Sequence, residues 1–217
     1  MFIQKFSMFV FAVTVAISCR GEVPTLDVLG EVGELRPGLL EGYLHGKPVL
    51  NSAAFLPAPP SAGSALETAD LAANKAVLKL QGQELVVYTA HLHPAKQELR
   101  EREVDAMLES MSSDLASGKN VILQGDLNMK PDNPLYQRWS AAGLQDAFVA
   151  KGTGNGLTIS ATERRSRIDY IWSAGPLLAG LTDCRVLAEG NFIDHPADKA
   201  GFALSDHLPV MATFALE

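Results

Sequence analysis

Asn120-Val121-Ile122-Leu123-Gln124-Gly125-Asp126-Leu127-Asn128 is the stretch whose reading decides the fold. It begins as an apolar run, bounded by Gly118 upstream and Pro131 downstream, which is the length and composition of a short buried strand. At its C-terminal end the polarity inverts. Gly125 lets the backbone pass close to a neighbour, and Asp126 and Asn128 follow. Residues two apart in extended backbone point to the same side, so a carboxylate and an amide share one face at the strand tip. An apolar strand that delivers polar side chains to its end is one way to build a site on a rigid element. The alternative is a strand followed by an ordinary turn, since Asp and Asn also suit turns.

Outward from this strand the chain alternates strand and helix patterns. Upstream, residues 95–117 carry Val104, Met107, Leu108, Met111 and Leu115 at intervals of three and four, one apolar helical face. Pro94 suits the start of this helix and Gly118 its end. Its charge-rich opposite face reads as solvated surface. Before it, residues 76–80 and 84–90 read as two strands joined through Gln81-Gly82-Gln83, a hairpin whose second strand runs into His91-Leu92-His93-Pro94. A short strand is expected over 47–55 and a loop from Pro57 to Ser64. Downstream, a short helix runs through Trp139 to Gly143, a loop spans Gly152 to Gly156, and Arg167 to Trp172 reads as a strand interrupted by Asp169. A carboxylate among Ile168, Tyr170 and Ile171 needs a partner, because an unpaired buried charge is costly. Ser205-Asp206-His207-Leu208-Pro209-Val210 opens the last strand. A helix linking two strands implies a layered α/β arrangement.

The 217 residues are 47% hydrophobic and 20% charged, a globular composition that fits one domain. The net charge is -7 and there is no Lys/Arg run, so no broad footprint for duplex nucleic acid is visible. Cys19 and Cys184 lack metal-ligand spacing and support neither a zinc site nor a disulfide framework. Cys184 reads as a small core residue.

Residues 1–19 have the layout of an export signal: Lys5, an apolar stretch from Met8 to Ser18, and small residues before Cys19. Ala16-Ile17-Ser18-Cys19 also resembles a bacterial lipobox, which would make Cys19 a lipidated N-terminus attached to a membrane surface. The alternative is an N-terminal strand. The expected organisation is a signal over 1–19 followed by one domain over 23–217, exported to the periplasm or beyond.

His91, Asp126, Asn128, Asp169, Asp206 and His207 all fall at strand ends or within apolar strands. No serine sits in a Gly-flanked turn of the kind that serves acyl transfer. Carboxylates with few thiolates suit a hard, oxygen-preferring ion such as Mg²⁺, with Mn²⁺ as the alternative. Aspartates, histidines and such an ion together fit phosphoester hydrolysis. The strand ends bearing His91, Asp126, Asp169 and His207 are expected to converge on one cleft, with His207 hydrogen-bonded to Asp169.

His91-Leu92, Gly125-Asp126-Leu127-Asn128, Arg167-Ile168-Asp169-Tyr170-Ile171 and Ser205-Asp206-His207-Leu208-Pro209-Val210 resemble, in order, the motifs of the endonuclease/exonuclease/phosphatase superfamily. The resemblance covers roughly residues 47–217. It implies a four-layered α/β sandwich, two packed mixed sheets flanked by helices. It also implies roles. Asp126 would orient or activate water and Asn128 hold a phosphate oxygen. Asp206 would bind the metal, and His207, fixed by Asp169, would face the scissile phosphate with His91 beside it. The substrate would be a phosphoester of a small molecule, a lipid head group or a nucleic acid, and no protein partner is implied. The family's opening strand ending in Asn and its Gln-Glu pair have no counterpart, Glu41 being the loose match. The sandwich is therefore expected to be reduced in its N-terminal half and the metal weakly held. A non-catalytic domain that binds a phosphate or a partner is the alternative. His45, His93 and His195 match nothing and read as surface-loop residues.

Overall fold

The computed structural model describes residues 14–19, 24–29, 72–80, 83–159, 163–188 and 207–215. The strand expected over 47–55, the loop from Pro57, and Glu41, His45, His195 and Asp206 lie outside the described residues.

The hairpin and the helix fall close to their expected places. β3 (Ala72–Leu80) and β4 (Gln83–His91) pair antiparallel, and α1 spans Gln97–Ala116. α1 then crosses over to β5 (Asn120–Asp126), which lies parallel to β4. Parallel neighbours need such a crossover, and strands covered on both faces read as continuous apolar runs, as β4 and β5 do. β8 (Asp169–Ala174) pairs antiparallel with β5, and β6 (Gln145–Asp146) closes the sheet in the order β3-β4-β5-β8-β6.

The second sheet has the order β1-β2-β10-β9-β7. Its members are β1 (Thr14–Cys19), β2 (Pro24–Leu29), β10 (Val210–Ala215), β9 (Leu181–Val186) and β7 (Gly152–Thr153). The last six residues of the expected export segment are thus drawn as the outer strand, antiparallel to β2. The stretch expected as a loop over Gly152–Gly156 contributes β7, because the edge of β9 offers a ladder to Gly152 and Thr153.

Alternation along the strands makes two cores. Leu85, Val87, Ile122 and Ile171 of the first sheet meet Leu181, Cys184, Val210, Ala212 and Phe214 of the second. Burial pushes the Cys184 thiol up to about 12, which suits an inert core position. On the other face, Val86, Tyr88, Val121, Leu123, Tyr170 and Trp172 pack with Val104, Met107 and Met111 of α1 and Trp139 of α2 (Tyr136–Ala141). The fold is therefore an α/β sandwich of two mixed sheets packed face to face. The α3 helix (Ala147–Lys151) packs against β9 of the second sheet and β8 of the first.

The polar face of α1 is not simply solvated, as the sequence suggests. Arg100, Glu103 and Asp114 are buried. Asp114 receives Lys75 Nζ at 2.6 Å and Tyr88 Oη at 2.6 Å, and Lys119 Nζ lies 3.0 Å away. Burial alone would disfavour this carboxylate, but the three donors outweigh it and hold its pKa at about 2. Because the folded value is depressed, the stabilisation is full above the ordinary value of 3.8 and is lost as pH falls towards about 2. Lys75→Met should therefore move acid unfolding, followed by far-ultraviolet circular dichroism, to higher pH. An unchanged acid midpoint would show that the cluster does not stabilise the fold.

Candidate active site

The face of the first sheet that carries Val87, Ile122 and Ile171 into the core continues, at the strand tips, with His91, Asp126 and Asp169. The site is thus the polar end of the space between the sheets. Asp126 and Asp169 are register partners across β5 and β8. The Leu127 amide donates to the Ile168 carbonyl at 2.9 Å, so the aspartates occupy the non-hydrogen-bonded position, where opposed side chains approach most closely.

Two backbone features bring the tips together. Gly125 has φ +132°, and a Cβ there would lie 2.1 Å from the Ala90 carbonyl oxygen of β4. Asn128 adopts φ 48°, the left-handed region that Asn tolerates better than most residues. Its main-chain amide donates to Asp126 Oδ1 at 2.8 Å. Its side-chain amide donates to the Leu92 carbonyl at 2.8 Å and to Asp126 Oδ2 at 3.1 Å. The Leu92 amide returns a bond to the Asp126 carbonyl at 3.0 Å.

His207 arrives from the second sheet, three residues ahead of β10. Its Nδ1 lies 2.9 Å from Asp169 Oδ2 and 3.1 Å from Oδ1, the expected carboxylate–imidazole pair. That contact leaves Nε2 directed towards Asp126, 4.0 Å from Oδ2. His91 Nε2 approaches the same oxygen at 3.5 Å. Burial lowers the His91 pKa, the nearness of His207 lowers it further, and Asp169 opposes both. Both aspartates are buried, and the two rings are partly exposed.

Of the residues singled out from sequence, the structure brings His91, Asp126, Asn128, Asp169 and His207 together. His93 is not in the cluster and is not a plain surface residue. Its Nδ1 accepts the amides of Ala95 at 3.1 Å and Lys96 at 3.0 Å, and so caps the approach to α1. Glu103 accepts the His93 amide at 2.6 Å, and Arg100 donates to the His93 carbonyl at 2.7 Å. Sequence reasoning missed these two buried clamps on the segment that follows His91. Arg167, next to Ile168 and Asp169 in sequence, serves the fold. It pairs with Asp146 at 2.7 Å and lies over Tyr170, 4.8 Å from the ring centroid. Asp146 also caps α3 (Ala147–Lys151) through the Phe148 and Val149 amides.

Asp126, Asp169 and His207 offer ligand-type atoms that all lie within 4.8 Å of one another. Both Asp169 oxygens are turned to His207, whereas Asp126 Oδ2 lies near the Nε2 atoms of both His91 and His207. A hard divalent ion takes about six oxygen ligands, which these side chains alone do not supply.

A carboxylate thus lies near two imidazoles at the tip of a two-sheet sandwich. The sequence profile of the Endonuclease/Exonuclease/phosphatase family matches residues 20–207, and the chain belongs to that family. No curated protein matches it by sequence. Among solved structures it resembles a Bacteroides thetaiotaomicron mannosyl-6-phosphatase, at 20% identity and TM-score 0.56, with 67% of this chain and 57% of that one aligned. A Bacteroides vulgatus member of the family aligns at 20% identity and TM-score 0.54, over 67% of this chain and 55% of that one. A humanized D. rerio TDP2 aligns at 20% identity and TM-score 0.51, over 65% of this chain and 59% of that one. The chain thus spans less than two thirds of the length of each of these structures.

Gly125→Ala tests the close approach of β4 and β5. The new methyl meets backbone, not a movable side chain, and the φ is strained for alanine. A loss of at least about 1–3 kcal/mol is expected in urea unfolding. A stability equal to the wild type would mean that the tips are not held this closely.

Proposed function

We propose that this chain is a phosphoester hydrolase acting at the opening between His91, Asp126 and His207. The observation that carries the reading is the placement of Asp126 Oδ2 between the two imidazole Nε2 atoms, with His207 fixed from behind by Asp169. A carboxylate so placed can accept a proton from water as the water attacks phosphorus. Imidazole Nε2–H groups on either side can donate to non-bridging oxygens as charge develops on them. The carboxylate of Asp169 keeps the His207 ring in the orientation that points Nε2 forward. A neutral His91, favoured by its burial, can donate one hydrogen bond without adding a second positive charge beside His207.

A divalent ion, Mg²⁺ in preference to Mn²⁺, would neutralise phosphate charge when bound. We assign Asp206 to it, with Glu41 as the first further ligand to test. The likeness to a mannosyl-6-phosphatase makes a sugar phosphate one substrate to try beside aryl phosphodiesters and phosphomonoesters. The net charge of -7 favours small or lipid phosphoesters over duplex nucleic acid. With Mg²⁺ present, the wild type should hydrolyse at least one of these substrates. Asp126→Ala and Asp169→Asn should each lower kcat by about a hundredfold or more. Absence of turnover on the whole panel, with phosphate still bound, would instead favour the non-catalytic domain.

We also propose that residues 1–19 direct export, with lipidation at Cys19 anchoring the domain to a membrane surface. Lys5, the apolar run and the small residues before Cys19 support this. β1 is the outermost strand of its sheet, so cleavage would leave β2 paired with β10. Mass spectrometry of the protein from its native host should find a mature N-terminus at or near Cys19. An intact Met1 on cytoplasmic protein would rule export out.

A further inference from the structure

We infer that Thr158 is a positioning residue of this site, holding Asp169 with its hydroxyl oxygen and the chain beside His207 with its backbone. The inference rests on the hydrolase reading above only for its consequence in turnover; the geometry stands without it. Thr158 is fully buried in the segment that follows α3 and β7. Its Oγ1 accepts the main-chain amides of Ile168 and Asp169, each at 3.3 Å. Its carbonyl accepts the amide of Leu208, the residue after His207, at 2.8 Å. Its own amide donates to the Ser166 carbonyl at 2.9 Å, and the next residue, Ile159, bridges both Ser166 and His207.

The sheet explains why a hydroxyl is needed here. Asp169 sits at the non-hydrogen-bonded position opposite Asp126, so its amide points away from β5. On that side β6 pairs only with Trp172 and Ser173 and stops short of the tip. The hydroxyl oxygen takes the place of the missing strand. It pins the backbone that presents the Asp169 carboxylate, while the carbonyl of the same residue pins the backbone that presents the imidazole. One residue thereby sets the spacing across the pair. A threonine that merely capped a turn would satisfy two amides with its hydroxyl, but its carbonyl would not also hold the chain beside His207. Each 3.3 Å contact is long, so the effect expected is on alignment more than on global stability.

The test compares Thr158→Val, which keeps the shape and removes the acceptor, with Thr158→Ser, which keeps the acceptor. The readout is the downfield proton resonance of the His207 Nδ1–H shared with Asp169, assigned by its loss in His207→Gln. It should vanish or broaden in Thr158→Val and persist in Thr158→Ser. In turnover, kcat should fall about tenfold or more in Thr158→Val with KM little changed, and Thr158→Ser should recover most of it. A folded Thr158→Val chain that retains the resonance at wild-type sharpness would overturn the inference. Should Thr158→Val not fold, amide hydrogen exchange on the wild type decides: slow exchange at Asp169 supports the bond to the hydroxyl, and exchange as fast as in an open loop refutes it. The resonance is readable even in a chain without turnover, so failure of this inference and failure of the hydrolase reading are distinguishable.

Discussion

Two buried carboxylates face each other at the end of this sandwich, and the rest of the structure has to make that tolerable. Asp126 and Asp169 are register partners on adjacent strands, the closest relation two opposed side chains can have in a sheet. Like charges there repel, and burial removes the water that would screen them. Donors from three directions offset the cost. Asn128 supplies two bonds to Asp126, His207 supplies the contact to Asp169, and His91 stands against Asp126 from the neighbouring strand. Since His207 belongs to the chain that leads into the second sheet, the pair is also a tie between the sheets. Site and sandwich are parts of one arrangement: were the sheets to separate, Asp169 would lose the His207 contact that offsets its charge.

The same economy governs α1. Its apolar side covers the outer face of the first sheet, and its polar side works at both ends. Near the site, Arg100 and Glu103 grip the backbone at His93 and so hold the segment after His91. At the far end Asp114 gathers Lys75 from β3, Tyr88 from β4 and Lys119 from the lead into β5. A helix fixed at both ends against the sheet gives the strand tips little freedom, which is what a site with contacts near 3 Å demands.

Much of this was legible in the sequence, for physical reasons that can be named. β5 and α1 carry strong periodic signals, and Asp169 announces itself as a charge inside an apolar run. The Gly125-Asp126-Leu127-Asn128 tip was readable because glycine and polar residues interrupt a strand pattern at one point. β6, β7 and α3 were not readable, since elements of two to five residues have no period to detect. Thr158 lies in a glycine-rich stretch, and the Ser166, Ile168 and Leu208 backbones that bond it arrive from later in the chain. Arg100, Glu103 and Asp114 look like solvated helix charges because nothing local shows which backbone groups or distant lysines they will meet.

Asn128 shows how position changes the meaning of a motif residue. The resemblance gives it a phosphate oxygen to hold. In the structure both amide hydrogens are already committed, one to the Leu92 carbonyl and one to Asp126 Oδ2. The first bond ties the tip of β5 to the segment after His91; the second turns the carboxylate towards the two imidazoles. Contact with a phosphate and orientation of Asp126 therefore draw on the same two hydrogens. A phosphate oxygen that captured the Asn128 amide hydrogen now donated to Asp126 would release that carboxylate oxygen, making it a better acceptor for a proton from water. The bond to Leu92 would remain and hold the amide in place during the exchange. The left-handed backbone at Asn128 thus puts one side chain within reach of both the strand tip and the neighbouring segment.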